Sequence, residues 1–262
     1  MNFLNVMKVV VLEKRFKRHW LIFAFVILFC NLIFGQTDNF SDRPWLNDKY
    51  PLILDPYAPN KVDFEKLITD KRVVGILHQA SRGLTHKDDK YKSRAVTAKA
   101  KGLLYASYHL GLNADPIKQA DFYLSVIGEN KSQPMALDIE DIGGNNISLS
   151  DSELFIKRIF EKTGKYPFVY VNHKVFTEIS NKYDKNSVFA KCPLWYARFI
   201  NTLPKLSKKI WEKVTLWQFA SEINCRDKSN NCPYKVPGTA NDIDINVFNG
   251  TRAELKEFWA NQ

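Results

Sequence analysis

The residues best placed to do chemistry are two acids in the run Met135-Ala136-Leu137-Asp138-Ile139-Glu140-Asp141. Side chains alternate between the faces of a strand, so Asp138 and Glu140 share one face while Leu137 and Ile139 take the other. Burying carboxylates is costly unless they are paired or hydrogen-bonded, so this pair is not ordinary core. Two acids side by side at a strand end are the minimum equipment for hydrolysing a glycosidic bond. The same pattern also suits an edge strand whose polar face meets water. Asp141 falls on the opposite face and stays outside the candidate site.

The surrounding elements decide between these uses. Strand-like runs occur at 51–54, 73–77, 103–108, 134–140, 168–171, 194–197, 214–219 and 242–247. Between them lie helical stretches. Asp63 caps the stretch 63–69, Gly102 stops 88–101, and Pro116 opens 116–127. Ser150 and Glu153 read as a capping box for 150–163, which Gly164 ends, and shorter helices fit 174–180 and 252–259. Strands alternating with helices imply a largely parallel sheet with right-handed crossovers. Eight such strands in one domain favour an α/β, TIM-like barrel over an open sheet. Asp55, His78, His109, Asp138, Glu140 and Asp244 all fall at or near strand carboxyl ends. In a barrel those ends converge on the face that carries active sites, which places the acid pair in a site.

The chain of 262 residues carries a formal charge of +10. Five basic residues against Glu13 put +4 of this on the first 35 residues, leaving +6 on the rest. That surplus suits an anionic partner such as a cell-wall polymer, a membrane surface or nucleic acid. No basic run interleaved with aromatics resembles a nucleic-acid motif, so no nucleic acid is expected. No Gly-rich phosphate loop or metal-ligand cluster is visible, so no cofactor and no metal are expected. The basic run from Lys14 to His19 precedes an apolar stretch from Trp20 to Phe34. Its length of about 15 residues is short for a membrane span and suits a signal peptide. Cleavage near Gly35-Gln36 is expected, an uncleaved signal anchor being the alternative, and bulky Phe29 argues against lipidation of Cys30. The expected organisation is a leader at 1–35, a linker at 36–48 and a catalytic barrel at 49–262. Export permits disulfides. Cys225 and Cys232 bracket a polar, turn-forming stretch that a local disulfide would close, whereas a zinc site would need further ligands nearby. Cys192, beside Pro193, reads as a buried free thiol.

Several segments follow one another in a recognisable order. They are Asp55 with Val62-Asp63-Phe64, the strand and Gly-terminated loop from Val74 to Gly83, and Gly102 to His109. Leu137-Asp138-Ile139-Glu140, Leu194-Trp195-Tyr196-Ala197, Trp217-Gln218 and Asp244 to Phe248 continue it. In this order and spacing, from about Leu52 to Trp259, the chain resembles the family 25 glycoside hydrolases, secreted lysozymes that cut peptidoglycan. The resemblance implies a barrel of eight strands with an incomplete set of flanking helices, in agreement with the sparse helices after Ser180. It further implies a monomer, secreted or in the periplasm or cell envelope, acting on peptidoglycan glycan strands; a membrane would be met only through an uncleaved leader.

It makes Glu140 the general acid/base, its pKa raised by neighbouring carboxylates. Asp138 would attack as nucleophile or orient the substrate's own acetamido group, the use favoured here because an N-acetyl group adjoins the reacting carbon. Asp55 and Asp244 would hold the sugar and tune the pair, a structural ion pair or cap being their other use. Tyr108, Trp195 and Trp217 could stack on sugar faces, although strand aromatics are more often core. His78, His109 and Gln218 could hydrogen-bond in the cleft, a satisfied core role being open to both histidines. Where the family usually has Lys-Ala-Thr-Glu-Gly, this chain has Gln79-Ala80-Ser81-Arg82-Gly83, beside the cleft. That departure motivates a second expectation, a barrel that binds glycan with reduced or no cutting. A chitinase-type barrel also ends a strand in Asp-x-Glu but expects upstream aspartates where this chain has Ala136 and Gln133.

Overall fold

The structure, a computed structural model, describes residues 40–225 and 232–262. The expected leader, its cleavage point and Cys30 lie outside the described residues. The strands are β1 (Leu52–Leu54), β2 (Val73–Arg82), β3 (His86–Lys87), β4 (Leu104–Leu110), β5 (Met135–Ile139), β6 (Phe168–Asn172), β7 (Leu194–Ala197), β8 (Leu216–Ala220) and β9 (Ile245–Phe248). Eight of them close a barrel in the order β1-β9-β8-β7-β6-β5-β4-β2, with β1 paired back to β2, and β3 is a short hairpin partner of β2. All eight expected strands form the barrel. Seven run parallel, and β9 is antiparallel to both its neighbours, β1 and β8.

Helices α1 (Phe64–Leu67), α2 (Tyr91–Ala100), α3 (Pro116–Ile127), α4 (Leu149–Thr163), α5 (His173–Lys182), α6 (Glu222–Cys225) and α7 (Arg252–Asn261) accompany the strands. The only described helix between β7 and β9 is the single turn α6, so the flanking set is incomplete as the resemblance implies. Side-chain caps fix several starts. Asp63 accepts from the N–H groups of Glu65 and Lys66, as expected. The α4 cap is Ser148, bonded to Asp151 N–H, and not the expected Ser150. Because Leu149 is buried and already helical, the turn begins two residues earlier. A full capping box occurs instead at Thr251 and Glu254, opening α7.

Parallel barrel strands are covered on both faces, so they read as near-continuous apolar runs. Their outward residues pack under the helices in the larger core, together with Phe155, Ile156 and Ile159 of α4. Their inward residues form a second cluster with Ile53, Leu77, Ala136, Phe168, Leu216 and Phe248, which Leu255 and Trp259 of α7 join. Phe258 of α7 meets Phe168 and Phe248 edge-on or tilted at 5.5 and 5.7 Å, closing the barrel on the side opposite the acids. Residues 40–48 do not behave as the expected linker. Phe40 and Trp45 are buried, and Trp45 stacks on Phe219 at 4.4 Å, so this segment is part of the outer core. Cys225 and Cys232 form the expected disulfide, and Cys192 is a buried free thiol.

Candidate active site

Along each strand the inward positions change from apolar to polar toward one mouth. Ile53 is followed by Asp55, Ala106 by Tyr108, Ala136 by Asp138 and Glu140, Phe168 by Tyr170, and Leu216 by Gln218. The two-residue period thus stacks a polar layer on an apolar floor. Asp55 is 5% exposed and accepts from Gln218 Nε2 at 2.9 Å and from Asn246 Nδ2. Gln218 Oε1 in turn accepts from Tyr170 O–H at 2.9 Å. Asn246 also donates to the Ile53 carbonyl at 3.0 Å and accepts from Trp195 Nε1 at 2.6 Å. Asp138 is 6% exposed, and its Oδ1 is buried without a hydrogen-bond partner. Glu140 stands above it, exposed at the mouth, where its carbonyl accepts from Asn172 Nδ2 at 2.5 Å.

The electrostatics follow from this packing. Burial pushes Asp55 well above the usual carboxylate range, and the charge of Asp244 adds to it. Burial also raises Asp138, with Glu140 and Asp244 contributing next. Asp244 is pushed up to about 8, by burial first and then by Glu222 and Glu140. Partial burial raises Glu140. The expectation that neighbouring carboxylates would raise Glu140 is therefore corrected: their repulsion is felt by Asp138, the more buried partner. Held together in a low-dielectric mouth, such acids can share protons and deliver one to a ligand oxygen.

A profile of the family described as Glycosyl hydrolases family 25 matches residues 57–228, well over half of the chain. The chain belongs to this family. Lysozyme M1 of Streptomyces globisporus is 26% identical over 193 residues, covering 68% of this chain and 60% of that protein. The chain thus spans about three fifths of the length of this curated relative. The crystal structure of a bacterial lysozyme from Streptomyces coelicolor matches with a TM-score of 0.66 at 21% identity, covering 80% of this chain and 97% of that one. A family GH25 lysozyme from Aspergillus fumigatus matches with a TM-score of 0.64 at 22% identity, covering 80% of this chain and 99% of that one. The two structures share the barrel fold.

Within this family 25 barrel the residues singled out from sequence divide by strand face. Asp55, Tyr108, Asp138, Glu140, Trp195 and Gln218 face the interior, and Asp244 joins them electrostatically through Asp55 and Asp138. Asp244 precedes an antiparallel strand, so it reaches the mouth from an amino end and not from the expected carboxyl end. Trp195 is 1% exposed and meets Tyr170 and Tyr108 edge-on at 4.7 and 6.0 Å, which makes it floor beneath the cleft and leaves no open face for a sugar. Three residues lie on the wrong face. Trp217 is fully buried against Phe40 and Trp45, with its indole N–H on the Arg198 carbonyl at 2.7 Å. His109 is buried between Ser81 Oγ and Gln119 and stacks on Phe155 at 5.2 Å. His78 lies mid-strand, because β2 runs on to Arg82, and its ring packs near Tyr91 and Tyr105 with Nδ1 on the Gln79 carbonyl. Each follows or precedes an inward residue by one, so the pleat sends it outward. Tyr170, Asn172 and Asn246 were not anticipated, although counting by two from Phe168 or Phe248 reaches all three. Asp141 pairs with Lys174 at 2.7 Å, outside the site as expected.

Proposed function

We propose that this protein is a peptidoglycan hydrolase that cleaves the β-1,4 bond between N-acetylmuramic acid and N-acetylglucosamine with retention of configuration. Membership of family 25 and the lysozyme relatives support the reaction class. The observation that carries the finer reading is the orphaned Asp138 Oδ1, a buried acceptor beside the accessible Glu140. An acceptor left unpaired in a dry site suits an N–H donor brought by the substrate.

In this reading Glu140 donates its proton to the glycosidic oxygen as the bond to the sugar carbon breaks. The acetamido oxygen of the same sugar forms a bond to that carbon, giving a cyclic oxazolinium ion whose N–H is held by Asp138. Glu140, now a carboxylate, takes a proton from water, whose oxygen bonds to the carbon as the ring reopens. Two displacements on one carbon leave its configuration unchanged. Asp55 and Asp244 hold the sugar and keep the site's proton affinity high, and Tyr108 and Gln218 line the bound ring. The disulfide, together with the basic-then-apolar stretch from Lys14 to Phe34 that reads in sequence as a leader, supports action outside the cytoplasm, in the cell envelope or beyond, where disulfides persist.

The test is mass analysis of fragments after purified peptidoglycan is digested with the protein and with Glu140→Gln. New reducing ends on N-acetylmuramic acid with the parent, absent with a folded variant, support the assignment. Equal turnover by the variant removes Glu140 from its role. A substrate lacking the N-acetyl group on the reacting sugar separates acetamido assistance from direct attack by Asp138, since only the second survives the loss.

A further inference from the structure

β2 runs five residues past its predicted end and turns back through β3, carrying its last residues above the barrel rim. A register shift between Gln79 and Ser81 puts two successive side chains on the outer face. Ala80 lies in the outer core, and Ser81 Oγ bonds the outward His109 at 2.8 Å. Arg82 therefore returns to the inner face. The pairing agrees: Arg82 is matched with Leu110, and Leu110 with Asp138. Arg82 thus shares one cross-strand row with Asp138, two strands and roughly 10 Å away. His86 lies directly opposite Arg82 in the antiparallel hairpin and shares its face.

Arg82 and His86 are both exposed. The Arg82 guanidinium makes no hydrogen bond or ion pair with any described residue. Other arginines of this barrel are tied down: Arg94 to two carbonyls and His78, Arg158 to Asp121 and Glu161. The mouth beside Arg82 otherwise presents acids, which disfavour an anionic ligand. A free guanidinium on a paired hairpin offers a two-pronged donor set that matches a carboxylate.

We propose that Arg82 is a specificity-determining residue that receives a carboxylate carried on the substrate glycan, with the charged substituent over the β2–β3 hairpin while the reacting sugar lies over β5. The inference rests on the glycosidase reading and names the substrate class of that site. On a peptidoglycan strand the carboxylate comes either from the lactyl group of a peptide-free muramic acid or from the peptide stem.

The test uses the full chain with Glu140→Gln, so that binding is read without turnover, and the same chain with Arg82→Gln added. The ligands are soluble glycan fragments bearing peptide stems, the same fragments stripped of peptide, and both after conversion of their carboxylates to methylamides. Arg82→Gln is expected to weaken binding about tenfold for a charged fragment, as loss of a charge-assisted contact does, with affinity for the neutralised fragments unchanged. The fragment that loses affinity identifies the source of the carboxylate. Equal affinities with and without Arg82, equal weakening on charged and neutralised fragments, or no binding to any fragment overturns the proposal. Charge-selective binding in a protein whose Glu140-intact form releases no reducing ends overturns the hydrolase reading alone.

Discussion

The backbone N–H of Asp55 donates to the Asp244 carbonyl at 3.2 Å, joining the carboxyl end of β1 to the amino end of the antiparallel β9. Two acids from strands of opposite direction thus meet at one mouth. An antiparallel closing strand is what lets Asp244 contribute, since a parallel β9 would place it on the side plugged by α7. The arrangement concentrates negative charge where burial already disfavours it, and the proton affinities of Asp55, Asp138 and Asp244 rise together.

That rise gives the fold a signed dependence on pH. The unfolded chain releases the Asp244 proton near its ordinary value of 3.8, whereas the folded chain holds it to about 8. The contribution of this group to stability is therefore complete below about 3.8 and is lost as pH rises toward 8. Asp244→Asn removes that loss. Denaturant titrations are expected to show the variant gaining at least about 1 kcal/mol over the parent at pH 8, and little at pH 4. Equal gains at both pH values would mean that Asp244 is not shifted. His78 and His109 act on the opposite limb: burial lowers each from 6.5 to about 4, so stability is lost as pH falls through that window.

Asn246 is fully buried and serves three partners: Asp55 and the Ile53 carbonyl receive its N–H groups, and its oxygen receives the Trp195 indole. Asn246→Ala leaves all three without it. Stranded buried polar groups cost about 1–3 kcal/mol each, so a loss of about 3 kcal/mol or more is expected in urea unfolding. A change within about 0.5 kcal/mol, the range of ordinary surface substitutions, would show that the network rearranges freely.

The fold was largely legible because eight strands and several helix ends leave local marks: apolar runs, the starts at Asp63 and Pro116, and the stops at Gly102 and Gly164. The site was legible in part. Asp138 and Glu140 announce themselves as acids in an apolar strand, but both faces of such a strand are buried, so hydrophobicity does not tell inside from outside. For that reason the sequence offers His78, His109 and Trp217 for the cleft with a core role left open, and the core role is the one they take. Parity resolves them once one inward residue is fixed: Leu77, Tyr108 and Gln218 point in, so their neighbours point out. The direction of β9 and the β2–β3 hairpin left no such mark. Ile245–Phe248 reads the same in either direction, and His86-Lys87 has no apolar pattern.

The outward placement of Trp217 separates two readings that activity alone confuses. Removing a buried tryptophan typically costs about 3–5 kcal/mol. Trp217→Ala is expected to lose stability on that scale, while the milder Trp217→Phe keeps the fold and leaves KM for glycan unchanged. A raised KM in Trp217→Phe at unaltered stability would return the ring to the cleft.

Arg94 controls the loop that follows Asp55. Its guanidinium donates to the carbonyls of Tyr57 at 3.0 Å and Asn60 at 2.5 Å, and to His78 Nε2 at 3.1 Å. Gln79 N–H completes the clamp by donating to the Pro56 carbonyl at 3.0 Å. Arg94→Met keeps the aliphatic stem and removes every donor. The loop is then held by fewer bonds, and Asp55 at its root loses its fixed position. Kcat is expected to fall, and thermal unfolding to shift down by about 2–4 °C for each kcal/mol lost. A histidine titration followed by NMR adds a readout that general destabilisation would not move. The charge of Arg94 helps hold His78 down near 4, so the variant's His78 is expected to titrate higher. An unchanged His78 titration together with unchanged kcat would show that Arg94 braces the helix α2 and nothing in the site.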